Sequence, residues 1–226
     1  MPDICAILNV FKRPEMLQIQ IQSLLSQSVK PKRILVWING GPSLNVRGSP
    51  VPVHFHHASE NIGVWGRFSL PLLYEHQHYA LFDDDTVPGN AWFENCLTVF
   101  AHERALLGTI GVRFKSDRYE DHYRVGWHRP NDLTTPVDIV GHAWFFDREM
   151  IETFWGERQI SRSPLAGEDI HFSYSIQKRL ALRTLVPPHP LSNPKVWGAT
   201  PAFSLKVGTD ENATSKVSVW QTHLES

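Results

Sequence analysis

The stretch YALFDDDT, residues 79–86, decides the reading of this chain. Tyr79, Ala80, Leu81 and Phe82 form an uninterrupted apolar run, the pattern of a strand buried on both faces. Three carboxylates follow without a spacer. Like charges a few ångströms apart raise one another's proton affinity, so Asp83, Asp84 and Asp85 are costly side by side unless a cation offsets them. A hard divalent ion, Mg²⁺ or Mn²⁺, held by one or two carboxylates plus phosphate oxygens, resolves that repulsion and makes a site. An Asp-rich turn that caps the next helix is the plainer reading of the same residues.

Upstream, Ile4 to Val10 reads as a strand, Lys12 and Arg13 as a polar loop, and Leu17, Ile21, Leu24 and Leu25 fall at helical spacing behind Pro14. A second strand, Arg33 to Ile38, closes on Asn39, Gly40 and Gly41. Strand, helix and strand together imply a parallel sheet. Val53 to His56 predicts a third strand, Ile62 to Glu75 a helix interrupted by Gly63, Gly66 and Pro71, and Ala91 to Arg104 another helix. The carboxyl ends of strands in such a sheet are where ligands bind, which is where the aspartates fall.

Downstream the pattern loosens. Thr109 to Val112 predicts a strand and Lys115 to Asn131 an excursion without periodicity. Two short strands, Val137 to Val140 and Ala143 to Phe146, flank Gly141 and His142, and Arg148 to Trp155 reads as a helix. A further helix, Ile170 to Leu180, is entered from Gly167, Glu168 and Asp169; Arg183 to Val186 ends the core, and the Pro-rich tail reads as loop. The fold class is α/β, a mixed, mainly parallel sheet flanked by helices, in a single domain spanning residues 1–226.

Composition narrows the function. With 22 basic and 23 acidic side chains the formal charge is −1, so no global electrostatic footprint for nucleic acid exists, although a local basic patch stays open. Cys5 and Cys96 sit in apolar contexts with no ligand or redox spacing, and read as buried thiols of a reducing compartment. No apolar run has membrane-span length, and the N-terminus lacks a signal-peptide pattern. The expected location is cytoplasmic. No P-loop, dinucleotide fingerprint, nucleophile elbow or CxxC pair is present.

Taken in order, NVFKRPEMLQIQIQSLLSQ, RILVWINGG, ENIGVWGRF, ALFDDDTVPGNAWFENCL, IVGHAWFFDREMI and GEDIHFSYSIQK resemble the serial motifs of glycosyltransferases with the GT-A (Rossmann-like) fold. The first and third blocks are most similar to family 2 enzymes; VWING with LFDDDT, and IVGHAWFFD with the later acidic pair, are similar to exostosin-like enzymes. The resemblance implies a nucleotide-binding half over about 1–105, an acceptor half over about 106–190 and a loop-rich tail over 191–226. It implies a nucleotide-diphosphate sugar as donor, Mn²⁺ or Mg²⁺ as cofactor, and transfer to a hydroxyl acceptor on a glycan, a protein or a modified nucleobase.

Residue roles follow from the same resemblance. Asp83 would meet the ribose or sugar of the donor, Asp84 the donor sugar, and Asp85 the metal bridging the diphosphate. Asn9, Arg13 and Asn39 would line the nucleotide pocket, with Arg67 near the pyrophosphate. Asp169 would be the general base of an inverting transfer, with Glu168 as the alternative; His189 would complete the metal sphere. His142 and Trp144 would run under the donor sugar, although Trp144 suits core packing equally.

Residues 119–128, YEDHYRVGWH, read either as a surface loop or as an acceptor platform whose aromatic faces stack on sugars while Arg118, Arg124 and Arg129 address phosphates. Retaining exostosin-like transfer, transfer to modified DNA bases and a non-catalytic metal-dependent sugar-binding module are the other readings. A nucleotidyltransferase should carry a Gly-rich phosphate loop after the first strand, and NVFKRPEM has no glycine.

Overall fold

The structure, a computed structural model, describes residues 2–46, 48–157, 166–200 and 216–221. Nine strands form a mixed sheet: β1 (Ile4–Val10), β2 (Arg33–Asn39), β3 (Val53–Ala58), β4 (His78–Phe82), β5 (Leu106–Phe114), β6 (His122–Gly126), β7 (Thr135–Val137), β8 (Ile139–Asp147) and β9 (Thr184–Val186). Their order is β3-β2-β1-β4-β8-β5-β9-β7, with β6 beside β5. β1 to β4 are mutually parallel, β5 and β9 share their direction through the antiparallel β8, and β6, β7 and β8 run the opposite way.

Helices cover both faces: α1 (Met16–Leu25) and α3 (Trp92–His102) on one, α4 (Arg148–Gly156) and α5 (Glu168–Leu180) on the other, with a short α2 (Leu70–Leu73) beside the second pair. The strands feed both layers by strict alternation. Ile4, Ala6, Leu8 and Val10 of β1 join the α1/α3 layer, whereas Cys5 and Ile7 join the α4/α5 layer. Residues buried on both faces explain why β1 and β4 read as continuous apolar runs. In the second layer Phe68, Phe154 and Phe172 are fully buried and in mutual ring contact, each side chain worth about 1.5–3 kcal/mol of transfer energy. Cys5 and Cys96 are buried free thiols.

Three expectations are corrected. The helix over 62–75 reduces to a 3₁₀ turn, Gly66–Ser69, followed by the one-turn α2, because Gly63 is left-handed and Gly66 packs directly against the Trp37 ring. The excursion over 115–131 contains β6, an exposed strand paired with β5. The two strands flanking Gly141 and His142 are one strand, β8, made continuous by a bulge: Gly108 pairs with Trp144 and Ile110 with Gly141, so Thr109 alone faces both His142 and Ala143. In the tail, Pro194–Val196 forms a 3₁₀ turn and 216–221 is helical; residues 201–215 and 222–226 lie outside the described residues. No described helix is long and apolar enough to cross a membrane.

Candidate functional site

Strand order reverses between β1 and β4, and in open α/β sheets the crevice at that reversal, beyond the carboxyl ends of the strands, takes the ligand. Asp83, Asp84 and Asp85 follow β4 at this point, and Arg13 follows β1. The acidic turn is held from beneath by Gln20 of α1, whose Nε2 donates to the Asp83 carbonyl at 2.7 Å and the Thr86 carbonyl at 2.9 Å. Gln20 is buried within the apolar face of α1, a polar residue where the helix pattern asks for an apolar one.

Each aspartate has its own partners. Asp83 Oδ1 accepts from Arg67 at 2.6 Å, and its backbone N–H donates to the His142 carbonyl at 3.0 Å. Asp84 accepts from the Lys12 backbone N–H at 3.1 Å and from Arg13 at 2.8 Å, so it ties the loop after β1 to the acidic turn. Asp85 is 3.5 Å from Arg13, and burial, followed by the Asp83 charge, pushes its carboxyl up to about 6. An ionised Asp85 is therefore costlier in the folded chain than in the unfolded one.

His142 completes the cluster. One ligand atom each from Asp83, Asp85 and His142 lie within 4.8 Å of one another. The bulge in β8 forces His142 into the left-handed region at φ 66°, a conformation that costs a non-glycine residue energy. Its Nδ1 is buried with no hydrogen-bond partner among the described residues, and burial holds the imidazole in the neutral, ligand form. Two carboxylates and a neutral imidazole with an unused nitrogen suit a divalent ion such as Mn²⁺.

The second acidic pair opens α5. Gly167, at φ 104°, supplies the left-handed turn from which Glu168 and Asp169 enter the helix. Glu168 Oε1 accepts from Arg67 at 3.0 Å, while Oε2 is buried without a partner; burial and the Asp169 charge raise this carboxyl to about 7. Asp169 is held low despite burial, because Lys216 donates to Oδ2 at 2.9 Å and the Ile170 N–H to Oδ1 at 2.9 Å. Adjacent carboxylates thus occupy opposite proton affinities.

Arg67 joins the two clusters. Its guanidinium is buried, lies 5.4 Å from the centres of the Phe68 and Trp144 rings, and remains protonated against its burial because Asp83 and Glu168 flank it.

The remaining expected positions separate. Asn9 lies in β1, in register with Trp37. Asn39 spends its amide on the following loop, donating to Asn61 Oδ1 and the Gly63 carbonyl at 2.8 Å each and accepting from the Ile62 N–H; with Phe11, Gly40, Gly41 and Asn61 it lines a cleft of about 250 Å³. His189 is not in the Asp83, Asp85, His142 group: it is buried and stacked on Trp197, with ring centres 4.7 Å apart, and burial pushes its imidazole down to about 4. Trp144 is buried in the α4/α5 layer, its indole donating to the Val140 carbonyl at 3.0 Å. Lys216, and the approach of His142 to Asp83 and Asp85, are not evident from local sequence. For His142 the resemblance implies a place under the donor sugar, and the local signal is its position beside Gly141 in an otherwise apolar strand.

Compared with the protein-family models and with the curated protein sequences, the chain matches none.

Proposed function

We propose that the chain is a metal-dependent GT-A glycosyltransferase that moves a sugar from a nucleotide diphosphate to a hydroxyl acceptor, with inversion. One observation carries this reading: a carboxylate–imidazole cluster at the strand-order reversal is wired through a single buried arginine to a second carboxylate of raised proton affinity. Donor chemistry and acceptor chemistry need those two kinds of group side by side. Asp83, Asp85 and His142 would hold the ion, which when bound offsets the negative charge growing on the departing nucleoside diphosphate.

The chain's own groups divide the rest. Arg13 is about one-third exposed and pairs with Asp84 only from one side, so its guanidinium can turn to diphosphate oxygens. The cleft beside Asn39, walled by Phe11, suits the nucleoside. The general base comes from the Glu168–Asp169 pair. Glu168 has the proton affinity of a base working near neutrality and one uncommitted oxygen, whereas Asp169 is neutralised by Lys216. Arg67 lowers the proton affinity of Glu168 against its burial and fixes its carboxylate.

The test is a panel of nucleotide-diphosphate sugars presented to the full chain with and without Mn²⁺. The expected result is binding and slow hydrolysis of one donor, dependent on the ion and lost in Asp85→Ala. Failure of every donor to bind, in either condition, sinks the reading.

A further inference from the structure

A cleft of about 480 Å³ lies on the β5–β6 hairpin, next to the acidic site and separate from it. Ile110, Tyr123, Arg124, Trp127, His128 and Arg129 line it, and among the described residues no carboxylate does. Its volume is that of a small-molecule site. The hairpin is shaped for it: Gly126, at φ 81°, sits where a Cβ would lie 2.3 Å from the Thr109 carbonyl oxygen, and the next residue, Trp127, is also left-handed at φ 48°. Two consecutive left-handed residues, one of them a tryptophan, are a costly way to end a strand.

The wall and the candidate ion site touch. The Trp127 ring centre is 5.5 Å from that of His142, and Ile110 is in register with both Gly126 and Gly141. On the solvent side Tyr123 is 41% exposed and offers an aromatic face, and His128 lies tilted against Trp127 with ring centres 3.9 Å apart. Arg124 and Arg129 are exposed, and neither forms an ion pair among the described residues. Arg104, Arg148, Arg179 and Arg183 each meet a glutamate, whereas the exposed Arg113 and Arg118, on and beside the same hairpin, form no ion pair among the described residues either, so this face carries an excess of positive charge. Two guanidiniums with no ion pair among the described residues, over an aromatic cleft that no described carboxylate lines, are matched by an anion on a compact ring, which the fork geometry of arginine grips through paired oxygens.

We propose that this cleft binds the acceptor and that the acceptor is a phosphorylated sugar, its ring against Tyr123 and His128 and its phosphate on Arg124 and Arg129. What is done with the ligand rests on the transferase reading; its binding does not. The volume is that of one or two rings.

The experiment is calorimetric titration of the full chain, without donor, with glucose 6-phosphate, with glucose and with inorganic phosphate, in the native protein and in an Arg124→Gln/Arg129→Gln variant. Both side chains are exposed, so the fold should persist, and circular dichroism checks this. Glucose 6-phosphate is expected to bind about tenfold or more tightly than glucose, and the variant should lose that preference, as expected for charge-assisted contacts. Equal binding of the two sugars, or a variant that binds like the native protein, overturns the proposal. So does tighter binding of a short oligothymidylate through the same arginines, which would assign the cleft to single-stranded nucleic acid. Uridine and guanosine diphosphates titrated with Mn²⁺ form the separate arm: if neither binds while glucose 6-phosphate does, the transferase reading fails and the cleft stands.

Discussion

Arg67 and Glu168 are bound at 3.0 Å across 101 positions of sequence, both buried, and the opposite terminal nitrogen of the same guanidinium holds Asp83 at 2.6 Å. A shared cation makes the separation of the two acidic clusters a fixed distance. Removing it strands the buried Glu168 and the half-buried Asp83, and breaking a buried pair from one side costs about 3–5 kcal/mol. Arg67→Met is expected to lose stability of that order in urea denaturation at pH 8. The deficit should shrink as the pH falls toward about 7, because Arg67 lowers the proton affinity of Glu168 and without it this carboxyl takes up its proton at higher pH than in the native protein. A loss that is independent of pH would make Arg67 a packing residue against Phe68 and Trp144.

Asp85 carries a cost that the proposed ion would relieve. Its folded-state proton affinity, raised to about 6 from 3.8, means that the folded chain binds the proton more tightly than the unfolded chain. Stability therefore falls as pH rises from about 4 to 6, and the penalty persists above it. Without metal, Asp85→Asn should stabilise the protein at pH 8 by roughly 1–2 kcal/mol after allowance for solvent screening. The same variant should bind Mn²⁺ about tenfold or more weakly, as should His142→Ala. Thermal melts with and without Mn²⁺ read both effects. An Asp85→Asn protein that is no more stable without metal, yet binds Mn²⁺ normally, removes Asp85 from the site.

How much of this was legible depends on how local each constraint is. The acidic turn after β4 could be read because an apolar run ending in three carboxylates has few physical resolutions, and Gly167 before Glu168 marks a helix start by the same local logic. The grouping of His142 with Asp83 and Asp85 was hidden because its orientation comes from one extra residue in β8 opposite Thr109, which on paper is a break between two strands. Arg67 looked free for a pyrophosphate because its partners lie far along the chain. The prolines around His189 flank a loop in which its ring stacks on Trp197, and His189 is not in the Asp83, Asp85, His142 group. Gln20 was read past because its helix face is otherwise apolar.

Gly167 sets the entry of α5 and so the position of both carboxylates. Its φ of 104° is closed to side chains, and a Cβ there would lie 2.6 Å from Val219 Cγ2. Gly167→Ala should cost about 1–3 kcal/mol. Under the proposed function it should also reduce transfer more than donor binding, because the donor side of the site is anchored by β4 and α1 instead. Equal loss of both, measured by steady-state transfer and by nucleotide titration, would mean that the whole site has shifted.

Lys216 separates the roles of Glu168 and Asp169. Its ammonium is 2.9 Å from Asp169 Oδ2, and its charge lowers the proton affinity of both carboxyls. Replacing it with methionine leaves Asp169 without its cation, so both carboxyls move up. If Glu168 is the base, its ionised fraction governs the acid limb of the rate, which lies near pH 7 in the native protein. Lys216→Met should then shift that limb to higher pH, with activity lost at pH 6.5 and largely retained at pH 8.5. Glu168→Gln should lower transfer about 10²–10⁴-fold at every pH, whereas Asp169→Asn should be milder and should itself move the limb to lower pH, since it removes a negative neighbour. If Asp169→Asn is the more damaging of the two and the limb of the Glu168→Gln protein is unchanged, the base is Asp169, and Lys216 must leave it before each turnover.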